Sequence, residues 1–197
     1  VTRGKVRSIH AHELLETIGY QERPYVLGIT RAYAARHGPG PFPTESVELG
    51  SKIQELHNSN GKWQGAFRIG HFDAVATRYA ITANGDIDGL AVTCLDQLPS
   101  HGEVEDFLIA SAYRGIQNNT LLPDLTLPEF GNLPALVKRS ESLMNNIAPI
   151  YDKVRYGATS IADVISSACN VELAATSSGI TREAKMFFQN TPSSIAA

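Results

Sequence analysis

Cysteine is scarce in this chain: among 197 residues only Cys94 and Cys169 carry a thiol, and neither sits in a CxxC or Cys/His spacing. A disulfide framework and a cysteine-based zinc site are therefore excluded, and two isolated thiols fit a reducing compartment. Long apolar runs are missing as well. None approaches the ~18 residues needed to cross a bilayer. Val1 to Tyr20 is polar and mixed in charge, unlike a signal peptide. No membrane partner is expected, and the expected location is the cytoplasm.

An excess of positive charge is also absent. The formal net charge is -3 at pH 7 and no Lys/Arg cluster offsets it locally, which removes the attraction that non-specific nucleic-acid binding requires. Nucleic acid is not an expected partner. There is no GxxxxGK[ST] loop, no GxGxxG, no HExxH and no GxSxG elbow. His57, His71 and His101 have no evident acid or nucleophile partner in the sequence. Asn118-Asn119-Thr120 matches a glycosylation acceptor, but without a secretory signal it reads as a chance tripeptide.

What is present is enough apolar residue, 43%, to fill one core in a chain of this length. One α/β domain is expected over residues 1–188, with a flexible tail over 189–197. Apolar positions Ile9, Leu14, Leu15 and Ile18 predict a helix over Ser8 to Ile18, stopped by Gly19. Tyr25 to Arg36 alternates as a strand, and the prolines at 39, 41 and 43 make His37 to Thr44 a constrained loop. Ser46 or Thr44 caps a helix running to about His57. Phe72, Val75, Ala76, Tyr79, Ala80 and Ala83 form one helical face, with Asn84-Gly85 as its stop. Gly89 to Leu95 reads as a strand covered on both sides, and Phe107 to Tyr113 as its neighbour in the sheet. Leu121 to Pro134 is expected to be irregular. Leu133 to Ile150 and Ser160 to Ala168 are expected helices, and Val171 to Thr176 the last strand. Helices alternating with buried strands predict an α/β fold with a mostly parallel sheet flanked by helices. Ligands in such sheets lie beyond the carboxyl ends of the strands. Asp96 and the Ser177-Ser178-Gly179 loop would then share one rim if their strands are parallel.

Three strings stand out in fixed order: HGPGPFPTE (His37 to Glu45), FRIGHFDAVATRYA (Phe67 to Ala80) and DGLAVTCLD (Asp88 to Asp96). Together they resemble the C-terminal half of adenylosuccinate synthetase, closely over Tyr25 to Ala112 and more weakly over Leu133 to Arg182. The resemblance implies the C-terminal part of that fold. It also implies a GTP-dependent reaction that joins aspartate to a purine nucleotide in purine biosynthesis, with Mg²⁺ as cofactor and a homodimer as the usual assembly. The family's phosphate loop, Mg²⁺ ligands and acid/base pair lie upstream of these strings. No catalytic residue and no metal ligand is therefore expected within this chain.

The same resemblance implies site residues. Thr93-Cys94-Leu95-Asp96 matches the family's Thr-Lys-Leu-Asp, whose acid reads the guanine of GTP. One carboxylate can accept from both the N1 and the exocyclic amino donors of guanine. Cys94 replaces the lysine whose stem covers the base. Ser177-Ser178-Gly179-Ile180-Thr181-Arg182 is similar to the family's Ser-Thr-Gly-Pro-Asp-Arg, which lines the other side. The implied GTP-binding residues are Asp96, Cys94, Leu95, Ser177, Ser178 and Gly179. The aspartate loop, Thr-Thr-Gly-Arg-x-Arg-Arg in the family, falls opposite Lys62-Trp63-Gln64-Gly65-Ala66-Phe67-Arg68, where only Arg68 is retained. This stretch resembles a divergent branch carrying GxWQGxFRxGxFD more than the housekeeping form. Arg68, Gln64 and Trp63, with His37 and Gly38 beside the ribose, are the implied substrate-binding residues. Ordinary packing of Trp63 and Phe67 with a solvated Arg68 is the competing reading. Arg36 either reaches phosphate or pairs with Glu45. A non-catalytic nucleotide-binding or interaction module, or a structural domain that binds no nucleotide, is the alternative to a ligase portion.

Overall fold

The computed structural model describes residues 8–55, 58, 61–85, 87–100, 106–129, 131–156, 159–188 and 192. Its main sheet has the order β1 (Leu27–Arg31), β5 (Gly89–Thr93), β9 (Leu173–Ser177), β10 (Lys185–Phe187). The first three strands are parallel and β10 is antiparallel to β9. A second sheet is built on the long strand β6 (Asp106–Gly115). It pairs with β4 (Phe72–Asp73) in parallel, and with β7 (Leu121–Leu122) and β8 (Ile147–Arg155) antiparallel. β2 (Ala34–His37) and β3 (Phe67–Gly70) form a separate antiparallel ribbon.

Helix starts follow the local chemistry. Ser46 accepts from the Leu49 N–H at 3.1 Å to start α2 (Val47–Lys52), and Asp73 accepts from the Ala76 N–H at 2.9 Å to start α3 (Ala74–Asn84). Gly85, at φ 102°, ends α3. Asn132 and Ser160 cap α4 (Leu133–Asn145) and α5 (Ile161–Cys169). The helix at the start of the described residues, α1 (Ser8–Thr17), buries none of its side chains.

The core lies between the two sheets and α5, where Phe72, Val92, Ile109 and Ile165 are all buried. Burying each such side chain contributes roughly 1.5–3 kcal/mol. Arg78 of α3 crosses this junction. Its guanidinium donates to the carbonyls of Ser111 (3.0 Å), Pro123 (2.6 Å) and Ala168 (2.7 Å) and pairs with Asp124 (2.6 Å). Gly89 lets β5 begin there, since a Cβ at this position would meet the Tyr25 hydroxyl at 2.1 Å and the Ala174 Cβ at 2.7 Å.

Several expectations are corrected. Tyr25 to Arg36 is not one strand: Ala32 (0% exposed) and Tyr33 (2%) form a buried corner between β1 and β2, held by the Ala32 N–H on Thr93 O at 2.8 Å. β6 is not the neighbour of β5. An apolar run specifies burial but not its partner, and β1 and β9 take both sides of β5. The helix expected over Leu133 to Ile150 stops at Asn145. Ile147, Pro149 and Ile150 belong to β8, whose place at the sheet edge tolerates a proline. β9 is not the last strand, because the chain turns back as β10. α2 ends at Lys52; His57 and most of the expected tail lie outside the described residues.

Candidate functional site

Two parallel neighbours create a shared rim. β5 and β9 pair with Val92 opposite Thr176, so the chain leaves the sheet at Thr93 and at Ser177 side by side. Beyond Thr93, Cys94 takes a left-handed conformation (φ 59°, ψ 31°), which is costly for a residue with a Cβ, and Leu95–Gln97 form a single 3-10 turn with Asp96 exposed. Beyond Ser177, the loop is folded back on itself. The Ser177 hydroxyl donates to Gly179 O (3.1 Å), and Lys185 Nζ donates to Gly179 O (2.8 Å) and Thr181 O (2.7 Å). Ile180 stands 92% exposed at its tip. Against the same turn lies a cavity of 580 Å³ lined by Leu95, Leu98, Thr176, Met186 and Phe188 among others. That is within the size range of small-ligand sites.

The turn carrying Asp96 is anchored by residues that sequence reasoning missed. Tyr33, buried at the β1–β2 corner, donates to Gln97 Oε1 at 2.5 Å. Arg31 Nη1 donates to the Tyr33 hydroxyl (3.0 Å) and pairs with Glu55 (2.7 Å). Burial pushes the Tyr33 phenol up to about 12, against the opposing pull of Arg31, so it stays protonated and a donor. No sequence spacing links positions 31, 33, 55 and 97; only the sheet topology brings them together.

The expected substrate residues gather at the β2–β3 ribbon. Arg36 is opposite Arg68 and His37 opposite Phe67. Arg68 gives Nε and Nη2 to both oxygens of Glu45 (2.9 and 2.5 Å) and Nη1 to Gly38 O (3.1 Å) and Gly40 O (3.0 Å). This fork holds the Glu45 carboxyl below its ordinary range and raises the Arg68 guanidinium. Glu45 thus pairs with Arg68 rather than Arg36, which instead donates to Pro39 O (3.2 and 2.8 Å). His37 Nε2 lies 3.1 Å from Asn58 Oδ1, while its buried Nδ1 has no hydrogen-bond partner. Gly38 packs directly on Gln64: a Cβ there would meet Gln64 O at 2.9 Å. Trp63 is 89% exposed at the tip of the Gly61–Gly65 turn, with Lys62 Nζ 5.3 Å from its ring centre. His37, Gly38, Gln64 and Arg68 are therefore together. Trp63 projects away into solvent.

Among the described residues, no group of three His, Cys, Asp or Glu side chains is arranged to hold a metal ion. None of the described helices is long and apolar enough to cross a membrane.

The architecture is thus an α/β fold whose mostly parallel sheet presents two loops at one carboxyl edge, the class of protein that binds ligands there. The sequence profile of adenylosuccinate synthetase matches residues 7–186, and the chain belongs to that family. An adenylosuccinate synthetase of Nitrosomonas europaea is 31% identical over 184 residues, covering 88% of this chain and 40% of that protein. One from Nitrosomonas eutropha is 42% identical over 106 residues, covering 53% and 24%. The solved structure of fully ligated adenylosuccinate synthetase from Plasmodium falciparum superimposes with a TM-score of 0.66 at 18% identity, over 90% of this chain and 43% of that one. The chain therefore spans well under half the length of these relatives.

Proposed function

We propose that this chain forms the C-terminal portion of a GTP-dependent ligase that joins an amino acid, aspartate or a similar one, to a purine nucleotide in purine biosynthesis. The observation that carries the reading is the parallel pairing of β5 with β9, which sets Asp96 beside the Ser177–Gly179 loop. In this reading the Asp96 carboxylate accepts from the N1–H and the exocyclic amino group of guanine. Cys94 and Leu95 continue the wall on one side of the base; Ser177, Ser178 and Gly179, with the exposed Ile180, close the other. His37 and Gly38 stand beside the nucleotide ribose, and Gln64 and Arg68 face the amino acid, with Trp63 outside this group at the exposed tip of the turn. Mg²⁺ neutralises phosphate charge in such a transfer. The described residues offer it no ligand cluster, so no step is assigned to it here. The metal ligands, phosphate loop and proton-transfer pair fall to the part of the family fold that this chain does not span. The working assembly in this reading is a cytoplasmic homodimer.

One observation favours a second reading, a nucleotide-binding module without ligase activity. Arg68 already spends its fork on Glu45, Gly38 and Gly40, leaving less of it for a substrate carboxylate. Both readings share the guanine site, and GDP tests it. With GDP at 100 Kd the chain should gain about 2.7 kcal/mol of stability. IDP lacks the amino donor, and losing one charge-assisted hydrogen bond, ~1.5–3 kcal/mol, should weaken it by roughly 10- to 100-fold. Asp96→Asn should bring GDP and IDP close together. Selectivity unchanged in that variant would remove Asp96 from the site.

A further inference from the structure

A carboxylate that accepts from two adjacent donors of one base must keep both oxygens in line with them, so small displacements cost it more than they cost a single hydrogen bond. The turn that carries Asp96 has little of its own to give that precision. It is one 3-10 turn, closed by the Gln97 N–H on Cys94 O (3.2 Å) and the Leu98 N–H on Leu95 O (3.4 Å), and it is entered through the left-handed Cys94. Asp96 itself is exposed. The neighbouring Gln97 is where the buried β1–β2 corner reaches the turn, through the hydroxyl of Tyr33 on its Oε1. The direction of that contact is fixed by charge. Arg31 has donors only, and its Nη1 donates to the Tyr33 hydroxyl oxygen and to Glu55, whose side chain is 8% exposed. The single hydrogen of the phenol is thereby left for Gln97. Hydrogen bonds chained with one polarity, from guanidinium through phenol to the Gln97 carbonyl, strengthen one another. Their root is a strand position: Arg31 pairs in register with Thr93, the residue from which the turn departs.

We infer that Tyr33 is a positioning residue for base selection: through Gln97 it holds the Asp96 turn in the geometry that meets both guanine donors, without touching the nucleotide. The inference rests on the reading of Asp96 and the Ser177–Gly179 loop as a guanine site. A loosened turn can still offer one oxygen to the N1–H, which hypoxanthine shares with guanine. It keeps the second oxygen on the exocyclic amino group less of the time. GDP therefore loses more than IDP, and the ratio of their affinities falls. A residue that merely stabilised the fold would lower both affinities together or neither.

Titration calorimetry of the full chain with GDP and with IDP measures that ratio, and amide exchange without nucleotide reads the turn itself. Tyr33→Phe keeps the buried ring, and Gln97→Met keeps the length of the half-buried side chain. Each should lower the preference for GDP by about five- to tenfold and speed exchange at Gln97 and Leu98 by a similar factor. IDP affinity should change by less than about twofold. The double variant should lose no more than either single one, because both remove the same contact. Gln97→Glu keeps an acceptor for the phenol and should retain the preference, a rescue that packing alone does not provide. Equal affinity of the unaltered chain for GDP and IDP would refute the guanine site and the inference with it. A GDP preference that survives in both Tyr33→Phe and Gln97→Met, or that Gln97→Glu loses as fully as Gln97→Met does, would overturn the inference and leave the guanine site standing. Exchange at Gln97 and Leu98 unaltered by Tyr33→Phe would overturn it as well.

Discussion

Replacing Tyr113 with phenylalanine deletes one hydroxyl and leaves the ring in place. In the fold that hydroxyl donates to Asp73 Oδ2 at 2.6 Å, with the two residues 1% and 6% exposed. Burial raises the Asp73 carboxyl above its ordinary value; the Ala76 N–H and the Tyr113 hydroxyl pull it back. The folded carboxyl therefore holds its proton more tightly than the unfolded one. Its contribution is greatest below the unfolded value of 3.8 and falls as pH rises through the folded value. Removing the Tyr113 donor raises the folded value further, so the variant loses more over the same interval. A hydrogen bond to a charged group contributes about 1.5–3 kcal/mol and a neutral one about 1. At pH 7 the expected loss is about 2–3 kcal/mol, or roughly 4–12 °C in Tm for a chain of this size. At pH 3.5 it shrinks to about 1 kcal/mol. Urea unfolding followed by circular dichroism measures both, and subtracting the two proteins cancels Glu45 and Asp88, whose carboxyls are shifted the other way. A loss below about 0.5 kcal/mol at pH 7, or an equal loss at the two pH values, would refute the reasoning.

Two further substitutions test the loops. Gly70→Ala would set a Cβ 2.3 Å from Thr44 O and 2.9 Å from Glu45 N, both backbone. A loss of at least about 3 kcal/mol is expected by chemical denaturation, and a loss under 1 would show that the β3–loop contact yields. Lys185→Met removes the ammonium that bridges the carbonyls of Gly179 and Thr181. Trypsin should then cut faster after Arg182 and GDP should bind more weakly, with little change in Tm; unaltered cleavage would mean the loop holds without the bridge.

Much of this fold was legible because single elements carry their own signals. The apolar face of α3 with Asp73 before it and Gly85 after it marks both ends of that helix, and the DGLAVTCLD string marks β5 and its exit turn. Pairing was not legible. β6 and β9 are both apolar, and choosing β9 as the partner of β5 depends on Gly89 and Ala174 permitting close approach, a property of the packed pair. The helix wrongly continued past Asn145 shows the same limit, because Ile147 and Ile150 fit a helical face until β6 claims them. At the candidate site, the resemblance pointed to Asp96 and the Ser177 loop, and the pairing of β5 with β9 brings their strand ends side by side. It was silent on Tyr33 and Gln97, whose contact joins residues 64 positions apart. The occupied fork of Arg68 was likewise invisible until the β2–β3 ribbon placed Glu45 beside it.

The guanidinium of Arg78 has a mechanical consequence. One rigid, planar group is bolted to β6, to the segment after β7 and to the final turn of α5, so these three pieces are yoked. A displacement of the second sheet must drag α5 with it, and α5 leads directly into β9. Any load applied at the far sheet is thereby delivered to the serine-glycine edge.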